Sequence, residues 1–518
     1  MNVLFYILLT FIFLFLNYLS IIRTKNSFEI VRDMGMGYNL GNTFDSYDSY
    51  INEMNTPEEQ ITLLGNIFPT KNMIKRLKKY GFKTIRFPVT WLYFIDEYGN
   101  INSEWMLCVK KVVDLIIEEK LYCILNIYND GKNFNWLSYG IESKDKYINL
   151  WTQIANEFKD YNNYLIFESM DEVFFFNYIT FNFDYDILLT FNQVFIDIIR
   201  NSGGNNRERL LIIAGAQEKL QDTYSSDYKL LVDPSNKFAI SIHYYEPTLF
   251  TTEGYFDPVI WTGDDGTTYS FEPTLSWGNQ DEYFQIITDF ELIRNNFVNK
   301  GIPIIISEVG VFTEEKKKIE SIREYFYLIF SMSSDYDGIM TCLWDTSNKR
   351  KGEMNYYDRK NDIWYDEKLK EIFIQISKGK YIKPTDFYTK THFETINNDY
   401  KLETLQLKIG DKKALKIIIN TRLTGTLFID LEFSINSYDA FGNSFKIIFE
   451  KSNGKKQYDG TTIFTIDVSK IECHQNIIVE ISFGRRYIII NSLTVEFEES
   501  FQSLDYKLYK DAISNYIY

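Results

Sequence analysis

Histidine is scarce in this chain: its 518 residues include only 3, His243, His392 and His474. Cysteine is nearly as rare, with 4 at Cys108, Cys123, Cys342 and Cys473. No pair of these falls at zinc-ligand spacing, which excludes a His/Cys metal site. A single disulfide stays possible, but four scattered cysteines are not a disulfide framework. Positive charge is also short. Lys and Arg total 55 against 71 Asp and Glu, a net charge of −16, which excludes a protein that coats nucleic acid through a basic stripe. The only Gly-rich stretch near a first strand, GMGYNLGN (35–42), is not G-x-G-x-x-G, so a doubly wound nucleotide-binding fold ranks low. Internal repeats and low-complexity tracts are absent. All 8 Trp lie between positions 91 and 364, leaving the last third of the chain without any.

What the chain does have is enough apolar sequence for a large core, with 45% hydrophobic and 24% charged residues. That composition excludes a disordered or collagen-like polymer. The length suggests one large domain and a smaller one. Residues 1–22, MNVLFYILLTFIFLFLNYLSII, carry no charged side chain before Arg23. An apolar run this early reads as a secretory signal, although no Lys or Arg precedes it and no A-x-A site follows. It is also long enough to anchor the chain in a membrane if it is not cleaved. Either reading puts the rest of the chain outside the cytoplasm, secreted or on the cell surface.

From 28 to 380 short apolar runs alternate with amphipathic stretches. Thr70 can cap a helix whose apolar face is Met73, Ile74, Leu77 and Tyr80, ended by Gly81. Trp105, Met106, Val109, Val112, Val113 and Ile116 mark a second helix by their 3–4 spacing. Strand-like runs lie near 35–40, 83–89, 121–127, 164–169, 210–214, 239–244, 302–307 and 338–343. Eight such units predict an α/β fold, a (β/α)8 TIM barrel. From 385 to 498 the pattern becomes β-rich and closely punctuated, as in TLQLKIGD, ALKIIINT and TTIFTIDV, which predicts a C-terminal all-β sandwich. Without Trp it suits an Ig-like spacer better than a flat cellulose-binding module. Residues 499–518 form a C-terminal tail with a possible helix.

In a parallel barrel the chemistry sits where strands end. Glu172 closes YLIFESMDE and Glu308 closes GIPIIISE. A carboxylate after an apolar run is costly unless paired or functional, and two that face each other across a cleft are what glycoside hydrolysis uses. The segments GYNLGNTFD (37–45), KTIRFPVTW (83–91), LIFESMDE (165–172), ISIHYYEP (240–247), IPIIISEVG (302–310) and MTCLWD (340–345) follow in that order. Together, over about 28–380, they resemble glycoside hydrolase family 5 and its cellulase-like endoglucanases. NSGGNNRERLLII (201–213) is similar to the segment joining that family's fourth helix to its fifth strand.

The resemblance implies a retaining hydrolase, endo-acting on a β-1,4-linked glucan, with Glu172 as acid/base and Glu308 as nucleophile. It implies that Arg86 hydrogen-bonds the nucleophile and keeps it ionised, that His243 and Tyr245, sharing one face of strand 6, orient the two acids, and that Trp344 is a sugar platform. Asn42 and Asp45 are candidates for sugar hydroxyls further along the cleft. Trp136, Trp261 and Trp277 are candidates to line it, the last two in a long loop over 245–290 that could equally be a self-packed lid. No cofactor or metal is required. A polysaccharide is the expected partner, and a monomer the expected state.

Two segments depart from the family, one at the acid/base and one after strand 3. Asp171 stands where an Asn usually donates to the sugar 2-hydroxyl, and an ionised Asp cannot donate. Tyr128 and Asn129 replace a His-His pair before Asp130. These departures leave open a catalytically weak or inactive relative that still binds glycans.

Overall fold

The computed structural model describes residues 25–387 except for short loop segments, the longest being 49–52, 131–134, 178–181, 253–258, 263–267 and 348–352. It also describes the backbone of most strands between 388 and 504, and residues 506–517. The expected signal or anchor at 1–22 lies outside the described residues. Among those that are described, no helix is long and apolar enough to cross a membrane.

Eight parallel strands close into a barrel: β1 (Gly37–Asn39), β2 (Thr84–Phe87), β3 (Tyr122–Leu125), β4 (Leu165–Glu168), β5 (Leu211–Lys219), β6 (Phe238–Tyr244), β7 (Ile304–Val309) and β8 (Ile339–Leu343). Closure occurs at β1, where Gly37 lies opposite both Cys342 of β8 and Thr84 of β2. Nearly every strand residue is buried, as expected when one face fills the barrel and the other meets helices. All eight strand-like runs in the sequence become barrel strands.

Helix α1 (Ser27–Met34) precedes the barrel. Its Ile30, Val31 and Met34 cluster with the inward-facing Ile124, Ile166, Ile212, Ile305 and Met340, so α1 closes the N-terminal mouth. The outer layer includes α2 (Lys71–Lys79), α3 (Ser103–Glu118), α4 (Lys144–Phe158), α5 (Tyr185–Asn201), α6 (Gln280–Asn296), α7 (Ile319–Asp335) and α8 (Glu367–Ser377). Helix α2 starts where Thr70 accepts from the Met73 N–H at 3.2 Å. It ends at Gly81, whose φ of 102° favours glycine and where a Cβ would collide with Ser377. Between β5 and β6 only one helical turn, Leu220–Thr223, stands among the described residues.

The segment 201–213 ties α4 to the barrel. Arg209 is buried and donates to the carbonyls of Phe158, Tyr161, Asn162 and Leu165, at 2.6–3.1 Å. A cation over the last turn of a helix satisfies carbonyls that have no partner within it. The same contacts fix the start of β4, and with it the loop that carries Glu172.

Beyond 388 the strands pair antiparallel into a six-stranded and a four-stranded sheet. In the first, Ala414–Leu423 lies between Ile488–Phe497 and Thr461–Asp467. The chain leaves and re-enters through a short ribbon in which Tyr388 faces Leu504 and Thr389 faces Ser503.

The expected tail is a docked helix, α9 (Tyr506–Ile517). Tyr509, Ile513 and Ile517 are buried in the barrel's outer core. Tyr506 and Tyr509 meet the Tyr283 ring of α6 at 5.4 and 6.0 Å, and Lys510 pairs with Glu324 of α7 at 3.1 Å. Burying three such side chains is worth about 1.5–3 kcal/mol each. Removal of 506–518 is therefore expected to lower the unfolding temperature of the barrel, and Ile513→Ala to cost about 2–5 kcal/mol. Thermal unfolding followed by Trp fluorescence checks this; an unchanged transition would contradict the docking.

Candidate active site

The strand alternation that buries Ile85 and Phe87 against helices turns Thr84 and Arg86 of β2 into the barrel. Arg86 is fully buried. Its Nε donates to Glu168 Oε2 at 2.7 Å, Nη1 to Glu308 Oε1 at 2.8 Å and to Asn39 Oδ1 at 3.1 Å, and Nη2 to Asp171 Oδ1 at 2.6 Å. The Tyr128 ring lies 5.6 Å from the guanidinium carbon. Burial opposes the charge on Arg86, but Glu168, Asp171 and Glu308 outweigh it and raise its pKa further.

Glu308 reaches the interior through a break in β7. Ile305 faces in and Ile304 and Ile306 face out, so Ser307 is due inward and Glu308 outward. The register with β6 shifts between Ile306 and Glu308, and this bulge re-aims the side chain. Both Ser307 and Glu308 then face the site. Tyr245 donates its hydroxyl to Glu308 Oε2 at 2.8 Å, so each nucleophile-candidate oxygen has one donor. Burial still raises the Glu308 pKa above the usual carboxylate range. His243 and Arg86 pull it down, while Asp171 and Glu172 push it up. Arg86 therefore lowers the cost of ionising Glu308 without cancelling it, less than the sequence suggested.

His243 stands between the acids. Nδ1 lies 2.6 Å from Glu172 Oε1 and 3.6 Å from Glu308 Oε2; Nε2 lies 3.3 Å from Glu218 Oε2 and 3.5 Å from Asp171 Oδ1. Burial alone would lower its pKa, but Glu218, Glu308 and Glu172 bring it to about 10. Glu172 sits just past β4, with its side chain 36% exposed and its backbone at φ 41°. Asp171, His243 and Glu308 have the composition of a cation site, with ligand atoms within 4.8 Å of one another. Arg86 already supplies a cation to Asp171 and Glu308, so the donor set suits an ion-pair cluster better than a metal.

Trp344, half-buried after β8, stacks on Tyr128 at 5.6 Å and 10°. Gly41 makes room for its edge: a Cβ there would stand 3.1 and 3.2 Å from Cζ2 and Cη2. Tyr128 thus stacks on the Trp344 ring from the position where the family has an imidazole.

Several candidates have their polar atoms or rings engaged within the protein. Asp45 is buried, and its carboxylate accepts from the backbone N–H groups of Asn42 and Thr43 at 2.8 and 2.7 Å, so it shapes the turn. The Asn42 amide donates to Glu353 Oε2 at 3.0 Å. Trp136 is buried and donates to Asp130 Oδ1 at 2.6 Å. Trp277 packs between Phe250, Tyr283 and Tyr325 among the outer helices. The Trp261 side chain lies outside the described residues. Conversely, the sequence reading missed Glu168 and Glu218. Glu168 was visible as an acid inside the apolar run LIFE (165–168); it accepts from Arg86, from Asn126 Nδ2 at 2.8 Å and from Ser241 at 2.9 Å. Glu218 had no such signal.

A family model for cellulase (glycosyl hydrolase family 5) matches residues 44–350. Endoglucanase A of Paenibacillus barcinonensis is 34% identical over 309 residues, 56% of this chain and 74% of that protein. Endoglucanase A of Clostridium longisporum is 30% identical over 378 residues, 70% and 68% of the two chains. The solved structure of a GH5-4 broad specificity endoglucanase from an uncultured bovine rumen ciliate is 49% identical, with a TM-score of 0.66 over 69% of this chain and 99% of that one. A family 5 xyloglucanase from Paenibacillus pabuli, solved with ligand, is 30% identical, with a TM-score of 0.57 over 67% and 99%. The barrel, its closed order of strands and these matches make the chain a member of glycosyl hydrolase family 5, an endoglucanase-like glycoside hydrolase.

Proposed function

We propose that this enzyme is a retaining, endo-acting hydrolase of β-1,4-linked glucans, with Glu308 as nucleophile and Glu172 as acid/base. The observation that carries this reading is the single His243 nitrogen 2.6 Å from one carboxylate and 3.6 Å from the other. So short a bridge favours the ~5–5.5 Å carboxyl separation of double displacement over the ~6.5–9.5 Å that accommodates a water in inversion. In the first half-reaction Glu308 attacks the anomeric carbon as the glycosidic bond breaks, and Glu172 gives its proton to the leaving oxygen. In the second, Glu172 takes a proton from water, whose oxygen displaces Glu308 from the sugar. Arg86 and Tyr245 hold the two Glu308 oxygens throughout, and the Trp344 face carries the sugar ring.

The relatives named above as endoglucanases and a xyloglucanase support a β-glucan, xyloglucan included, as substrate. The apolar segment 1–22 supports secretion, or surface anchoring if it is retained. The strands of 392–497 fit a β-sandwich spacer, and a monomer suffices because every proposed group comes from one chain. A second reading, a weak or inactive glycan binder, is favoured by Asp171, which accepts from Arg86 at 2.6 Å where an amide would donate to sugar.

Reducing-sugar release from carboxymethyl cellulose, barley β-glucan and xyloglucan tests the choice. Glu308→Gln and Glu172→Gln are each expected to lose about 10²–10⁴-fold in kcat, the range for removing a proton-transfer or nucleophilic group. Equal release by wild type and Glu308→Gln would sink the proposal; release only after Asp171→Asn would support the second reading. The pH profile gives an independent check. Activity needs Glu308 ionised and its pKa is raised by burial, so the acid limb of kcat/KM is expected above the ordinary glutamate value of about 4.3. An acid limb below that value would mean that burial does not dominate the ionisation of Glu308.

A further inference from the structure

Glu218 is buried at the end of β5, on a piece of chain that leaves strand geometry to bring it inward. The register with β6 shifts between Ala214 and Lys219, and Gln217 and Glu218 hold φ values of 50° and 52°. Glu172 is left-handed as well. Non-glycine residues in this region are uncommon, and when they cluster they mark sites where the surroundings enforce the conformation. These two strained segments meet: the Glu172 peptide N–H donates to Glu218 Oε2 at 2.6 Å. The same oxygen faces His243 Nε2 at 3.3 Å.

The other oxygen reveals how many protons the cluster holds. Ser241 Oγ lies 2.6 Å from Glu218 Oε1, 2.9 Å from Glu168 Oε1 and 2.6 Å from Ser307 Oγ. Ser241 can donate only once, and the Ser307 hydroxyl has either Ser241 or, at 3.3 Å, the Ile242 carbonyl as its acceptor, so the two hydroxyl hydrogens do not give each of the three contacts one of its own. A hydrogen on one of the carboxyls gives the remaining contact its donor. Glu168 is the acceptor, because its other oxygen takes the Arg86 guanidinium and the Asn126 amide. That leaves Glu218.

Resting on the reading of Glu172 as acid/base, we propose that Glu218 is a neutral carboxylic acid and the positioning residue for Glu172. Its O–H donates to Ser241, its carbonyl oxygen accepts from the Glu172 peptide, and the His243 ring is held between the two glutamates. The charged and titratable groups acting on it are Glu168, Asp171, Arg86 and His243, and it acts in turn on the buried Tyr228 hydroxyl. Burial raises its pKa to about 8, with His243 and Arg86 lowering it and Asp171 and Glu168 raising it, in line with the proton count. Ionisation would remove the hydrogen that Ser241 needs, so positioning fails as pH rises through that value.

The test uses the full chain with Glu218→Ala and Glu218→Gln, measured on the glucan that wild type hydrolyses best. Glu218→Ala is expected to lose about 10²-fold in kcat with little change in KM, the scale of a small misplacement of a catalytic group. Glu218→Gln is expected to recover most of that loss, since its amide can donate to Ser241 and accept from Glu172. It is also expected to lack the wild-type fall in activity near pH 8. At neutral pH, infrared difference spectra of wild type against Glu218→Gln should show a protonated carboxyl band. Glu218→Gln as damaged as Glu218→Ala, a kcat unchanged in Glu218→Ala, or no such band overturns the inference while leaving the hydrolase reading intact. A wild type inactive on every glucan, with Glu172→Gln no different, fails both together.

Discussion

One guanidinium organises the C-terminal end of this barrel. Arg86 reaches Asn39 from β1, Glu168 from β4, Asp171 from the following loop and Glu308 from β7. Burying any of these charges alone would cost several kcal/mol, and removing one partner of a buried pair about 3–5 kcal/mol. Together they fix the distances among strand ends that are not neighbours in the sheet. A single positive charge facing three carboxylates is not enough, which is why the imidazole of His243 lies where it does and why burial still dominates the Glu308 pKa. The lower barrel layer, with Ile124, Ile166, Ile212 and Ile305, needs no such arrangement. The change from apolar to charged interior along the same strands separates the structural floor from the site.

Regular strands would not deliver these groups. Alternation alone turns Glu308 outward, and a bulge in β7 corrects it; a larger excursion at the end of β5 returns Glu218 to the interior. The left-handed backbones of Glu172, Gln217 and Glu218 lie at the same place. Such conformations cost on the order of 1–3 kcal/mol each, and the hydrogen bonds among Glu172, Glu218 and Ser241 offset part of that.

The barrel was legible in the sequence because each strand is an apolar run set off from amphipathic helices. Glu172 and Glu308 were legible because they close such runs. Glu168 is harder to single out because it ends its run a few residues before a more conspicuous acid. Glu218 was invisible, since nothing in GAQEK (215–219) announces a bulge. Residue type without direction misled in the other sense. Asp45, Trp136 and Trp277 have the chemistry of sugar contacts, but their polar atoms or rings are used within loops and the helical layer. Helix α9 could not be read as docked because its partners, Tyr283 and Glu324, lie far earlier in the chain.

The central claim is that two carboxylates linked by His243 act by double displacement. Proton NMR of the anomeric centre during the first minutes of hydrolysis of a cello-oligosaccharide tests it most directly. Retention requires the β-anomer of the new reducing end to appear first and the α-anomer to follow by mutarotation. An α-anomer appearing first would mean that a water attacks in a single step, so that Glu308 is not a nucleophile and Arg86 and Tyr245 do not support one.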